Sequence, residues 1–564
     1  MHFRTHSLRF PASYVTALLL SCMGAAQAHA SEARVAQWTR FEGVFTSTAE
    51  YSNPVQDVQV DVAFISPSGK SHEAMTFWDG GKIWKVRFSP QELGKWTYRT
   101  RSSNTADGGL HDRSGEFLCT KYAGTNPLYR HGAIGISEDR YSLAHADGTP
   151  FFWLADTVWN GPLKSDARSW DIFLRDRVSK GFTAMQFVAT QWLAGSGNAD
   201  LRVAYLGKEK IWIDPVFFHW MDKRIDAMND LGLVAVPVLA WAAHWNKLTL
   251  HLNPGTSLPD DQVILLARYM VARYGAHQVI WFLAGDSDYR GELAERWRKI
   301  GREVFGDHPT RLATMHPAGQ MWVADEFRHE PWFSFNGYQG GHGDGPEYLR
   351  WLVEGPPATQ WNKEPHHPVI NLEPNYEDHL SYHTRTRFNA HAVRRASYWS
   401  LLVSPPAGVT YGGHGIWSWE LEPNTPMSHL GTGVAKPWHE AMRLPGSTHL
   451  KYLKSLFASL EWWKLRPAQN MLADQPGAAD PSRFVAVAMA DKWLLAYIPA
   501  GGEIKLRTEG LKPPLAARWF NPRTGVWSVG KSVSGDSLSL SAPDTDDWVL
   551  WLGQRKKPAA SPKP

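Results

Sequence analysis

Two cysteines in 564 residues exclude a disulfide framework as the basis of this fold. Cys22 falls inside an N-terminal apolar run, so removal of that run would leave Cys119 alone, and a lone cysteine is more often a small buried hydrophobe than a nucleophile. Charge of one sign is also missing. The 59 Lys and Arg residues against 55 Asp and Glu give +4 with no dense basic run, which argues against nucleic acid as a partner. Beyond the N-terminal run no apolar stretch is long enough to cross a bilayer, so no integral membrane span is expected. The chain contains no HExxH, no phosphate loop, and no Ser or Cys nucleophile with a paired base. Peptide, ester and nucleotide chemistry therefore lack their parts, and nothing calls for a metal or cofactor; Asp286 and Asp288 have no matching loop of oxygen ligands.

What the chain has in excess is tryptophan, 29 residues, within an aromatic content of 13%. Indole faces fill cores, and they also suit the apolar C–H faces of sugar rings. The N-terminus carries Arg4 and Arg9, an apolar run from Tyr14 to Ala26, and Ala28-His29-Ala30, the pattern of a cleaved secretory signal over residues 1–30. Export to the periplasm or medium is expected. Leu19-Leu20-Ser21-Cys22 loosely resembles a bacterial lipobox, whose processing would instead leave Cys22 as a lipidated N-terminus.

Hydrophobic periodicity divides the rest. Residues 31–128 alternate with period two between closely spaced turns ("VQVDVAFISPSG", "IWKVRFSP", "GEFLCTKY"), which predicts an all-β sandwich. From 129 to 465 short apolar runs alternate with amphipathic stretches, the βα repeat of a parallel sheet. Eight strands are read at 150–156, 183–190, 233–241, 279–286, 311–316, 333–339, 368–373 and 408–419, predicting a (β/α)8 TIM barrel. A doubly wound sheet would want a glycine-rich loop after an early strand, and none is present. "PVFFHWMDKRIDAMNDLG" and "DDQVILLARYMVARYG" read as barrel helices, each closing on a capping glycine. Residues 466–555 return to strand and hairpin spacing, a second sandwich, and 556–564 read as a disordered tail.

In such a barrel, functional groups stand at the C-terminal ends of the strands. Asp286 and Glu373 each end an otherwise apolar strand, the fourth and the seventh, so they face one another across the mouth. A glycosidic bond needs that pair, one acid to protonate the leaving oxygen and one carboxylate on the other face of the sugar. A single acid at a strand end is otherwise a helix cap or an ion-pair partner. Asp156, Trp159, Gln191, Trp192, Trp241, His316, Tyr338, Gln339, His342, Trp417 and Trp419 occupy the remaining rim as candidate substrate contacts. Glu377, four residues past Glu373, is a candidate sugar ligand or alternative nucleophile.

The stretches "FFWLADTVW", "IWFLAGDSDY", "VINLEPNYE" and "GIWSWE" resemble the apiosidase-like group, glycoside hydrolase family 140. "RWFNPRTG" resembles the collagen-binding sandwich that follows such barrels, and "WDGGKIWKVRFSPQELGKWTYRT" the module of unknown function that precedes many of them. The resemblance implies a retaining glycosidase of polysaccharide or oligosaccharide, with Asp286 as acid/base and Glu373 as nucleophile. Gly285 stands where the wider clan has an Asn that holds the sugar 2-hydroxyl, so another group is expected to take that contact. A non-catalytic carbohydrate-binding or adhesion protein and a transglycosylase using the same acids are the competing readings.

Overall fold

The computed structural model describes residues 33–244, 247–307 and 309–554. The signal-peptide and tail expectations lie outside the described residues. Eight parallel strands form one sheet: β1 (Trp153–Thr157), β2 (Ala184–Val188), β3 (Val234–Trp241), β4 (Trp281–Ser287), β5 (Ala313–Pro317), β6 (Asn336–Gln339), β7 (Val369–Glu373) and β8 (Gly408–Gly412). The order β5-β4-β3-β2-β1-β8-β7-β6 closes between its ends, where Ser334 N donates to Ala313 O at 2.8 Å and Gly319 bridges Gln339. The result is the TIM barrel. Every strand reads as an apolar run because both faces are covered, by the interior and by helices.

The helices follow in turn: α1 (Ala167–Ser179), α2 (Pro215–Asp230), α3 (Asp260–Tyr274), α4 (Glu292–Phe305), α5 (Ala324–Phe327), α6 (Pro346–Glu354), α7 (Ala390–Leu402) and α8 (Pro445–Ala458). Asp214 caps α2 through Val216 N with Pro215 at the first position, and Gly232 just past its end takes φ +79°. Gly275 instead closes α3 at φ −61°, inside the helical region, so the left-handed cap expected there is absent. The first and last strands are shorter than expected. Residues 150–151 join a separate three-stranded sheet, and β8 stops at Gly412, where 413–417 coil into a turn with Ile416 N and Trp417 N both donating to Gly413 O.

The N-terminal sandwich packs a five-stranded sheet on a three-stranded one through cross-sheet ring pairs, Phe41 on Phe117 at 4.3 Å and Phe64 on Phe88 at 4.2 Å. It docks on α2 and α3. Phe77 is buried there beneath the guanidiniums of Arg87 and Arg273, which share Asp222 at 2.9 and 2.7 Å, and Arg273 also reaches Asp79 at 2.8 Å. The C-terminal domain is a seven-stranded sheet with a two-stranded antiparallel sheet on one face, and its other face packs on the barrel. Tyr497 stacks on Tyr398 of α7 at 4.7 Å, and Trp399 Nε1 donates to Phe484 O at 2.8 Å. Arg394 of α7 makes a bidentate pair with Asp547 at 2.7 and 2.8 Å, and the Tyr497 hydroxyl donates to the same carboxylate at 3.0 Å. Among the described residues no helix is long and apolar enough to cross a membrane.

Both members of the Arg394–Asp547 pair are buried, so removing one strands the other charge. Asp547→Ala is expected to lower stability by about 3–5 kcal/mol, measured by urea unfolding followed by tryptophan fluorescence.

Candidate active site

Backbone irregularities aim the two carboxylates. In β7 the register with β6 shifts after Tyr338–Asn371, so that Gln339 pairs with Glu373 and Leu372 is the extra residue. Asn371 points outward, its amide donating to Ser400 Oγ of α7 at 3.1 Å, and strict alternation would send Glu373 the same way. The bulge turns Glu373 into the mouth. In β4 the register with β5 shifts twice, around Gly285, and Asp286 sits in the left-handed region at φ +55°, a conformation a non-glycine residue holds only when its surroundings impose it. Beneath them Gln186 spans the barrel interior, its amide donating to Leu372 O at 2.7 Å and to Thr157 Oγ1 at 2.8 Å, which fixes the backbone just before Glu373.

Glu373 is buried, and burial alone would raise its pKa. Two imidazoles reverse that. His342 Nε2 lies 2.9 Å from Oε1 and His316 Nε2 3.3 Å from Oε2, holding the carboxyl down at about 2. His342 Nδ1 faces the Tyr376 N–H at 3.4 Å, which leaves its Nε2 to carry the proton donated to Glu373. His316 approaches off the hydrogen-bond direction. Asp286 has no such donors: burial, and then the charge of Glu373, push its pKa well above the carboxylate range. The two carboxyls are thus driven in opposite directions, Glu373 toward its ionised form and Asp286 toward its protonated form.

Both acids line a cavity of about 340 Å3 at the C-terminal end of the barrel. Trp159, Trp192, Trp241, Trp417 and His429, which packs on Trp417 at 4.9 Å, form one part of the wall, and Tyr348, Tyr376, Tyr382, His342 and His379 another. Trp192 and Trp241 rings meet at 4.4 Å, and Trp192 Nε1 is fixed by Asn160 Oδ1 at 2.7 Å. Trp241 takes the space a side chain at 285 would fill, because a Cβ on Gly285 would lie 2.6 Å from its ring. Gln339 also lines the cavity, and His316 lies fully buried behind Glu373.

Besides His316, five expected contacts do not reach it. Asp156 points outward from β1, buried against Arg177 of α1 in an ion pair. Gln191 ties its own loop, donating to Tyr205 O and accepting from Ala204 N, each at 2.9 Å. Tyr338, one position before Gln339, packs outward against Trp322 and Trp351. Glu377 accepts from Tyr411 Oη at 2.7 Å and Gly446 N at 2.8 Å, so it caps the N-terminus of α8 and is turned from the anomeric position a nucleophile would need. Trp419 stacks on Trp438 at 4.9 Å behind the rim.

The family described as "Apiosidase-like, catalytic domain" matches residues 137–464, more than half of the chain. The chain belongs to the apiosidase-like family. A "Domain of unknown function" matches 34–103, and the "Putative collagen-binding domain of a collagenase" matches 466–553. Two solved structures from Bacteroides vulgatus share the fold of this apiosidase-like chain. A glycoside hydrolase of family 5 is 23% identical with a TM-score of 0.66, covering 76% of this chain and 94% of its own. A "putative glycoside hydrolase" is 19% identical with a TM-score of 0.70, covering 93% and 100%. No curated protein matches the chain.

Sequence reasoning missed Tyr376, His379, Tyr382, Tyr348 and His429 in this apiosidase-like site. Tyr348 stands in the first turn of α6 and the others on loops after β7 and β8, beyond the strand ends where a rim is sought. The run of Tyr and His from 376 to 383 directly after the β7 acid was the available signal. Asp156→Ala is expected to cost about 1–3 kcal/mol, because it removes one of the two carboxylates on the buried Arg177 guanidinium and leaves only Asp176. A residue that only held substrate would leave the unfolding midpoint unchanged.

Proposed function

We propose that this protein is an exported retaining glycoside hydrolase acting on a plant or microbial polysaccharide or oligosaccharide, with Asp286 as acid/base and Glu373 as nucleophile. The observation that carries the reading is the divergence of two carboxyls in one aromatic cavity, one held ionised by imidazoles and one kept protonated by burial and its neighbour's charge. In the first step a Glu373 oxygen bonds to the anomeric carbon while the proton on Asp286 passes to the departing glycosidic oxygen. In the second, ionised Asp286 takes a proton from water, the water oxygen bonds to the same carbon, and the Glu373 ester breaks. The indoles present flat apolar walls to the sugar face. Export rests on Arg4, Arg9 and the apolar run that follows them. The family's name puts apiosides first among substrates to screen.

Release of reducing sugar from defined polysaccharides is the direct assay. Asp286→Asn and Glu373→Gln are each expected to lower kcat by about 10²–10⁴-fold with unchanged circular dichroism; turnover surviving either change removes the assignment. The anomer formed first, read by proton NMR, keeps the configuration of the substrate. Inversion would take the nucleophile role from Glu373. Product analysis with an added sugar acceptor separates hydrolysis from transglycosylation.

The pH profile follows from the two directions. Activity needs Glu373 ionised and Asp286 protonated, so it rises through the low pKa of Glu373 and falls as pH passes the raised pKa of Asp286. His342→Ala removes a donor to the ionised form, so the acid limb of kcat/KM is expected to move up by about one pH unit. The alkaline limb stays, because Glu373 is fully ionised there in both proteins.

A further inference from the structure

A second and much smaller cavity, of about 20 Å3, lies between α6, α7 and the chain that leaves β6 and β7. It has room for one water-sized occupant, since a single water needs roughly 10–15 Å3 of such space. Part of its wall is bare backbone, because the segment Gly340-Gly341-His342-Gly343 contributes its three glycines. Two of them are held to that role. Gly341 takes the left-handed φ of +80°, and a Cβ on Gly343 would lie 2.3 Å from the ring of Tyr348. Arg395 and Trp399 of α7 form another part of the wall.

Arg395 is the exception that needs an explanation. Among the described residues the lining holds this one cation and no Asp, Glu or His. Its neighbour Arg394 is closed by the bidentate pair with Asp547, whereas Arg395 makes no ion pair or hydrogen bond among the described residues and only lays its guanidinium 5.1 Å over the Trp399 ring. Burial works against its charge and lowers its pKa. The two acids that act on it through space are engaged elsewhere. Asp344 accepts from Ser381 Oγ and from Thr384 Oγ1 at 2.6 Å, and Asp480 accepts from Ser482 N at 3.0 Å and Ser482 Oγ at 2.7 Å. A largely buried guanidinium with no counter-charge, lining a space the size of one small ion, calls for an anion, because a neutral water leaves the charge uncompensated.

We propose that this cavity is a site for one monatomic anion, chloride or another halide, held by the Arg395 guanidinium. Sulfate, phosphate and carboxylates exceed the space. The ion ties α7 to the segment that carries His342 and to Pro374, the residue after Glu373. These are the same two stretches of chain that the His342–Glu373 hydrogen bond joins inside the mouth.

The test uses the full chain. It is melted at pH 7 in sodium methanesulfonate, with tryptophan fluorescence as the signal, while sodium chloride, bromide or sulfate replaces that salt at constant ionic strength. The melting temperature is expected to rise and saturate with chloride and with bromide but not with sulfate. In Arg395→Gln the half-saturating chloride concentration is expected to rise at least tenfold. Crystals of the unaltered protein soaked in sodium bromide give a check that needs no variant, with an anomalous-scattering peak expected against the Arg395 guanidinium. A melting temperature indifferent to halide, a halide response unchanged in Arg395→Gln, or a cavity that holds only water after the bromide soak overturns the proposal.

Discussion

A carboxylate in a nearly dry site is the constraint on which this structure turns. Burying the charge of Glu373 is costly unless polar partners are already in place; His342, on the loop after β6, supplies a hydrogen bond and His316 of β5 a second imidazole at 3.3 Å. Their presence fixes the rest of the electrostatics. Burial raises the pKa of Asp286 across the mouth, and the charge that the imidazoles keep on Glu373 raises it further. The chain order of the rim follows the same logic: acid on β4, imidazoles from β5 and the loop after β6, carboxylate on β7.

Much of this was legible in the chain. Apolar runs of strand length, separated by amphipathic stretches, give the eight strands to within a few residues, because a parallel sheet covered on both faces leaves few polar positions inside a strand. The polar residue that ends each run was therefore conspicuous, and Asp286 and Glu373 were found that way. What the chain could not show is which face a strand-end residue takes. Asp156 and Tyr338 fall on the outer face by simple alternation, and Glu373 falls on the inner one only because a bulge interrupts it. A bulge is an extra residue in one strand relative to another, a property of a pair that no single stretch contains.

The loops were harder still. Glu377 reads as part of an acidic cluster, yet its partners lie 34 and 69 residues downstream, at Tyr411 and Gly446. Trp417 and Trp419 stand two residues apart and separate completely, one to the cavity and one to a stack behind it, because the chain between them follows a turn instead of the strand expected there. Gly285 shows the converse, a missing side chain that has meaning only with Trp241 in its place.

The shared core of barrel and C-terminal sheet reaches into how the protein is made. Arg394 waits for a partner 153 residues further along, so the outer face of α7 stays uncovered until the last strands leave the ribosome. Domains synthesised first usually fold first, and here the helix that follows β7 is denied its cover until synthesis is nearly complete. A closing contact placed this late in the chain delays the locking of α7 against the C-terminal sheet until nearly all of the polypeptide is available.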